Sequence, residues 1–383
     1  MIWQERWGMR FHREETMELT KINFTSAFFT DRPLELLQDG EFTATAFKYE
    51  TGVCGLKIKN KHCSMVVLPY MGQQIWFAEF DGRSLTQKSI FDQPQATTKF
   101  GDNYGGFLLH CGLTNINCAG EGEDYPLHGE LPFANYQKTY IGIGRDEKGK
   151  YLAVGGTFTY RNSQEYHYTY SPELRLYEGA SVVEMYIDIQ NHRHQALEYM
   201  FMCHMNWLAI DGSHLIYSAV KDTEHIKVDP TELGGDSPRA VKIREYGKLL
   251  QKNPMLADVL DSERQCYDPE MCINIKYKAD KNGWAHAMQV MPEGDACYVG
   301  FRTKELPYAL RWFCRTGDED GIGIALPTTG TNRSTAYQKQ HQLYNVLAPG
   351  EHDRLRFDFG HLNKEKTEIM RAYIETILEK VEE

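Results

Sequence analysis

Residues 182–190, VVEMYIDIQ, place Val183, Met185, Ile187 and Ile189 on one side of an extended backbone and Glu184, Tyr186 and Asp188 on the other. Successive side chains of a strand point to opposite faces, so a period of two marks a strand with one buried face and one wet face. Two other stretches repeat the pattern. Ile273, Ile275 and Tyr277 alternate with Asn274, Lys276 and Lys278, and Leu355, Phe357 and Phe359 alternate with Arg354, Arg356 and Asp358. Strands that are wet on one side pair antiparallel. Turn signals separate the runs: Asp81-Gly82, Lys148-Gly149, Glu178-Gly179, Asp211-Gly212, Glu293-Gly294 and Pro349-Gly350. From Phe42 onward the sequence predicts an all-β fold, a large antiparallel β-sandwich.

Two helical patches interrupt the strands. Residues 238–262 are weakly helical, broken by Pro254, and read as an insertion between strands. Residues 363–381 predict a short C-terminal helix, with Ile369, Tyr373, Ile377 and Val381 spaced by four on a stripe that docks on the sandwich. No repeat or low-complexity linker divides the chain, so residues 17–383 read as a single domain. Residues 1–16 read as an N-terminal extension ahead of Met17.

Bulk properties narrow the function classes. The chain has 383 residues, enough for a substantial core, and a formal net charge of -11. That charge offers no footprint for nucleic acid or anionic lipid. No apolar run approaches a membrane span, and the N-terminus has no apolar signal region. Nine cysteines, none in a C-x-x-C pair, suggest reduced thiols in a cytoplasm and speak against structural zinc. The expectation is a cytoplasmic protein with no cofactor, no metal, no nucleic-acid partner and no membrane partner. A homo-oligomer is compatible with all of this.

Two motifs carry chemistry. Residues 102–136, DNYGGFLLHCGLTNINCAGEGEDYPLHGELPFANY, are too polar and too broken by glycine and proline for a buried strand, and they read as a surface segment carrying binding groups. Within it His128 is followed by Gly129 and Glu130. Residues 200–207, MFMCHMNW, interrupt an apolar run with His204, and Asn206 follows on the same strand face. An imidazole in so apolar a setting costs free energy unless it is hydrogen-bonded, so it is either structural or used.

Taken together, GLTN (112–115), GEGEDYPLHGE (120–130), CHMNW (203–207) and LAPGE (347–351) resemble the galactose-mutarotase-like superfamily. The likeness is strongest to its aldose 1-epimerase-like branch of unknown function, and it spans roughly residues 40 to 362. The resemblance implies the supersandwich fold and the interconversion of sugar anomers in an open cleft, with a sugar or sugar derivative as the small-molecule partner. Two histidines at the ring oxygen map onto His128, as a hydrogen-bonding partner, and His204, as general acid. Histidine suits such work because its pKa lies near working pH.

The departure is at the base. The family's late-strand glutamate falls in GIALPTT (323–329), where Leu326 stands, and a leucine accepts no proton. Glu130 is the first substitute, two residues after His128 and on the same side of an extended segment; Glu123 and Asp124 are weaker. Asn115, Asn135 and Asn206 are candidates for sugar hydroxyls, and Arg333 for an acidic or phosphorylated group. Trp76, Trp207 and Trp312 offer apolar faces to a pyranose, although the core is their default place. His192, His194 and Glu198 mimic an H-x-H-x3-E metal motif, but NHRHQ reads as an exposed hairpin tip. Two further readings stay open: a sugar-binding protein without catalysis, and a sugar isomerase or epimerase with a relocated base.

Overall fold

The computed structural model describes residues 18–228, 236–265 and 270–379. The expected extension over residues 1–16, and Val381 of the C-terminal stripe, lie outside these residues. Two antiparallel sheets face each other. Sheet I runs, neighbour by neighbour, through Glu18–Phe24, Lys138–Asp146, Gly149–Asn162, Tyr166–Tyr177, Val182–Asn191, His352–Leu362, Ala296–Arg302, Trp284–Val290 and His214–Tyr217. Sheet II runs through Ile226–Val228, Met271–Lys276, Tyr308–Arg315, Asp320–Thr328, Leu197–Met205, Leu108–Leu113, Gln74–Phe80, Cys63–Leu68, Cys54–Lys59, Phe42–Lys48 and Leu34–Asp39. This is the antiparallel sandwich that the period-two runs predict.

The alternation reads out directly in burial. Val183, Met185, Ile187 and Ile189 are all buried, as are Leu355, Phe357 and Phe359 in the neighbouring strand, which pairs with the first along its length. Their partners across the core belong to sheet II: the rings of Phe107 and Phe359 lie 5.7 Å apart, and those of Phe201 and Phe357 6.4 Å. One contiguous apolar core therefore joins the two sheets. The buried side chains are worth about 1.5–3 kcal/mol each in transfer free energy.

The insertion is built as expected, with a helix at Pro238–Lys252 followed by a 3-10 turn at Pro254–Asp258. Ser237 caps the helix by accepting the Ala240 N–H at 3.1 Å. Asp258 anchors the insertion to sheet II through the fully buried Arg311, 2.9 Å away. The C-terminal helix, Lys364–Glu379, departs from the predicted stripe. Thr367, Ile374 and Ile377 are buried, whereas Ile369 is 64% exposed. With 3.6 residues per turn, a strict spacing of four drifts by about 40° at each step, so the docked face follows mixed spacings of three and four. The helix covers Met288, Val290, Tyr298 and Leu362 on the outer face of sheet I.

That outer face carries an opposed pair of acids. Glu184 and Asp358 stand opposite each other across paired strands, with Arg356 reaching both at 3.1 and 3.4 Å. Burial, reinforced by Glu184 and opposed by Arg356, pushes the Asp358 carboxyl up to about 7. The folded chain thus holds a proton that the unfolded chain releases near its ordinary pKa. The stability this contributes is complete below about pH 4 and is lost as pH rises through about 7. Asp358→Asn, neutral throughout, is expected to match the parent near pH 4 and exceed its Tm by a few degrees near pH 8. Thermal scans across that range check it.

Candidate functional site

The 102–136 stretch is not all surface segment, as its glycines and prolines suggest: Leu108–Leu113 within it form a fully buried strand of sheet II, because that short run is apolar enough to pair inside the sheet, and the residues after it fold back onto that strand. Gly112 donates its N–H to the His128 carbonyl at 2.8 Å, and its own carbonyl accepts from Leu131 N–H at 2.9 Å. His128 itself sits at φ 63° and Gly129 at φ 79°, both left-handed. A Cβ on Gly129 would stand 2.3 Å from the Asn115 carbonyl oxygen and 2.5 Å from that of Gly112, so only glycine lets the backbones approach. This tight turn sets the direction of the His128 ring.

His204 comes from the middle of sheet II. In the strand Leu197–Met205, Cys203 pairs opposite His110, which accepts the Tyr170 hydroxyl from sheet I at 2.8 Å inside the core. His204 pairs opposite Leu109 and therefore faces the other way, toward the overlying segment. Its ring lies 5.6 Å from that of His128, inclined at 71°. The sequence motifs thus converge on one place.

Hydrogen bonds settle the tautomer of His204. Asn206 donates its amide N–H to the Gly106 carbonyl at 2.9 Å, which orients its oxygen toward His204 Nδ1 at 2.6 Å. Nδ1 therefore carries the proton and Nε2 the lone pair, with the Tyr104 hydroxyl 3.2 Å away from Nε2. Burial lowers His204 to about 4 against the pull of the Asn206 hydrogen bond. Burial, and then the proximity of His204, lowers His128 to about 3. Both imidazoles are neutral at neutral pH in the empty protein. In His128, Nδ1 is sealed without a partner, leaving Nε2 as the ring nitrogen able to meet a ligand.

Aromatic rings enclose the pair. Phe100 lies 4.9 Å from His128 and 4.8 Å from Tyr104; Trp312 lies 5.2 Å from His204 and 5.8 Å from Tyr104. The Trp312 indole N–H donates to Glu270, which immediately precedes the strand Met271–Lys276. Glu270 keeps an exposed surface, yet the protein crowded around it raises its carboxyl by desolvation, opposed by the Trp312 hydrogen bond. Tyr104 and Phe100 lie in or beside the stretch that the sequence singles out, whereas nothing in the sequence around Glu270 marks it.

The remaining candidates take other positions. Glu130 accepts from Thr114 N–H at 3.0 Å, Thr114 Oγ1 at 2.9 Å and the buried Tyr168 hydroxyl at 2.5 Å. The extended backbone that would place it beside His128 is absent, because His128 and Gly129 turn left-handed. Glu123 is likewise committed, to the N–H groups of Gly120 and Ala336 at 2.8 Å each, and Asp124 is exposed. Asn115 donates to Thr114 Oγ1 at 3.1 Å, and Asn135 is exposed. Arg333 is exposed with its guanidinium 5.9 Å from the Tyr337 ring centre, and its carbonyl holds Asn117 at 2.8 Å. Trp76 is buried under the turn that carries Tyr104, where a Cβ on Gly105 would meet its ring at 2.8 Å. It offers no face to a sugar. Trp207 is core. His192 turns to Thr169 Oγ1 at 3.0 Å and Glu198 toward Lys339 at 3.8 Å, so the H-x-H-x3-E residues do not converge. Among the described residues, no cluster of three His, Cys, Asp or Glu side chains could hold a metal ion, and no helix is long and apolar enough to cross a membrane.

Three hydrogen bonds commit Glu130 to the loop, so Glu130→Gln is expected to cost about 1–3 kcal/mol of stability, read as a lowered denaturation midpoint. Nitrogen-15 NMR of the free protein is expected to keep His128 and His204 neutral down to about pH 5, with His204 protonated on Nδ1. Because the unfolded histidines take up protons from about pH 6.5, these two positions withdraw stability as pH falls from there toward their folded values. Midpoints near 6.5 in the folded state would contradict the burial of the two rings.

Residues 50–220 match the family model described as a domain of unknown function (DUF4432). No curated protein matches the chain. Among solved structures, a provisionally named aldose 1-epimerase from Klebsiella pneumoniae subsp. pneumoniae MGH 78578 superposes with a TM-score of 0.76 at 15% identity, over 95% of this chain and 97% of that one. A galactose mutarotase-like protein from Clostridium acetobutylicum gives 0.56 at 12% identity, over 85% and 100% of the two chains. A galactose mutarotase related enzyme from Lactobacillus acidophilus gives 0.52 at 10%, over 81% and 98%. The two facing sheets and the likeness to these structures establish that the chain has the galactose mutarotase-like sandwich fold.

Proposed function

We propose that the protein is an aldose 1-epimerase-like isomerase that exchanges the anomers of a monosaccharide or its derivative. The observation that carries this reading is the His128–His204 pair, rings 5.6 Å apart on the outer face of sheet II and walled by Phe100, Tyr104 and Trp312. It is supported by the fold, whose similar structures bear aldose 1-epimerase and galactose mutarotase names. Aromatic faces suit the apolar side of a pyranose.

Anomer exchange needs a proton delivered to the ring oxygen and one withdrawn from the anomeric hydroxyl. The bond between the anomeric carbon and the ring oxygen breaks, the carbonyl rotates, and closure on its other face restores both protons. The imidazole pair, protonated once, supplies the ring-oxygen proton. Burial opposes that protonation in the empty cleft, so a bound sugar and a nearby carboxylate are what favour it. His204 then acts through Nε2, its Nδ1–H being held by Asn206. Leu326, buried and facing Leu310 across the strands, leaves no carboxylate at that position, and this favours one alternative: a protein that binds sugar without turning it over.

Exchange NMR and polarimetry on hexoses, pentoses and uronates separate the two readings. The isomerase is expected to accelerate anomer exchange of at least one sugar above its spontaneous rate. His204→Ala is expected to lose about a hundredfold or more of that acceleration while remaining folded. Calorimetric binding without exchange would select the binding protein.

A further inference from the structure

Trp312 has a strand on each side. On one flank lies Asp320–Thr328, with Gly323 opposite Trp312 and Leu326 opposite Leu310. On the other lies Met271–Lys276, with Cys272 opposite Trp312 and Glu270 just before the strand begins. A sugar seated against His204 and Trp312 can be met from either flank. One offers a buried leucine, the other a carboxylate hydrogen-bonded to the indole itself.

We propose that Glu270 is the catalytic residue that takes the proton from the anomeric hydroxyl, the carboxylate having moved to the opposite flank of Trp312. This rests on the isomerase reading of the same site. Glu130 and Glu123 do not compete, because both oxygens of each hold loop donors. Glu270 takes the Trp312 N–H on one oxygen, which fixes the carboxylate and leaves the second oxygen to accept a proton. It remains accessible from solvent, as a group that meets substrate must. The indole it holds lies 5.8 Å from the Tyr104 ring and 5.2 Å from that of His204, which brings the carboxylate to the edge of the histidine pair's surroundings. Desolvation raises its pKa, as suits a group that both takes up and returns a proton.

The step balances. The Glu270 carboxylate removes the anomeric O–H proton, and that oxygen's electron pair forms the carbonyl as the bond from the anomeric carbon to the ring oxygen breaks. The pair released on the ring oxygen takes the proton of the singly protonated imidazole pair. Closure on the other carbonyl face runs the same transfers backward, so Glu270 and the imidazoles end as they began. No oxidant, reductant or metal enters.

The test is anomer-exchange NMR on the full chain, with a sugar that the parent protein turns over. Glu270→Gln keeps an oxygen for the Trp312 N–H but cannot accept the proton. It is expected to lower kcat by about a hundredfold or more, with calorimetric sugar affinity changed less than tenfold. Glu270→Asp is expected to recover part of the rate. Added formate should restore exchange to Glu270→Ala, above the same buffer without protein. Near-ultraviolet circular dichroism, which reports the packing of Trp312, confirms that each variant is folded. A folded Glu270→Gln variant that turns over normally overturns the assignment while leaving the isomerase reading intact. An affinity loss with kcat retained makes Glu270 a binding group and overturns it equally. A parent protein that accelerates no sugar in the panel overturns the isomerase reading, and the assignment with it.

Discussion

The close approach of two backbones at Gly112 and Gly129 is the constraint on which the site depends. The strand Leu108–Leu113 of sheet II supplies a rigid end, and the chain that follows it folds back through His128–Leu131 closely enough to exclude a Cβ at Gly129. His128, in the left-handed region beside it, has its direction dictated by that contact rather than by its own preferences. Glu130 then staples the far side of the turn, joining Thr114 to Tyr168 of sheet I. A further set of bonds ties the segment to the 331–336 region, where Asn117 donates to the Thr331 and Arg333 carbonyls and Ile116 N–H to Thr335 Oγ1. A histidine on a loop thereby acquires the fixity of one on a strand.

The electrostatic character of the pair follows from what surrounds it. His361 is partnered by acids: it lies between Asp81 and Asp295 at 2.7 and 2.8 Å, joining turns from the two sheets. His128 and His204 have aromatic rings, an amide and a hydroxyl instead, and no carboxylate in direct contact. Desolvation without a compensating anion holds them neutral. The buried Arg311 is the converse case, a charge taken from water and matched by Asp258. Pairing of that kind keeps a buried group charged; its absence leaves the two imidazoles neutral.

Several residues chosen for their chemistry serve instead as support, for steric reasons. Trp76 lies beneath the turn bearing Tyr104, and Asn206 holds the tautomer of His204. Both sit within reach of the right region. Their roles depend on whether a side chain is covered by the next layer, and sequence position does not report that coverage.

The sequence by itself determined the sandwich, because period-two alternation in runs such as 182–190 and 354–359 is the direct imprint of half-buried strands, and turn pairs mark where they end. It also located both histidines, through a glycine-rich segment and an apolar strand that would not otherwise tolerate an imidazole. Only the tertiary structure decided that these two meet, since 76 positions of chain separate His128 from His204 and the strand order of sheet II brings them together. It decided equally that Glu130 is tied into the loop and that Glu270 meets the Trp312 indole beside His204. An acid's availability depends on which donors surround it and how much water they exclude, and those neighbours come from strands and loops remote in the chain. The stripe on the C-terminal helix turned for the same reason: the helix fixes the angle between its side chains, and the surface of sheet I chooses which of them it buries.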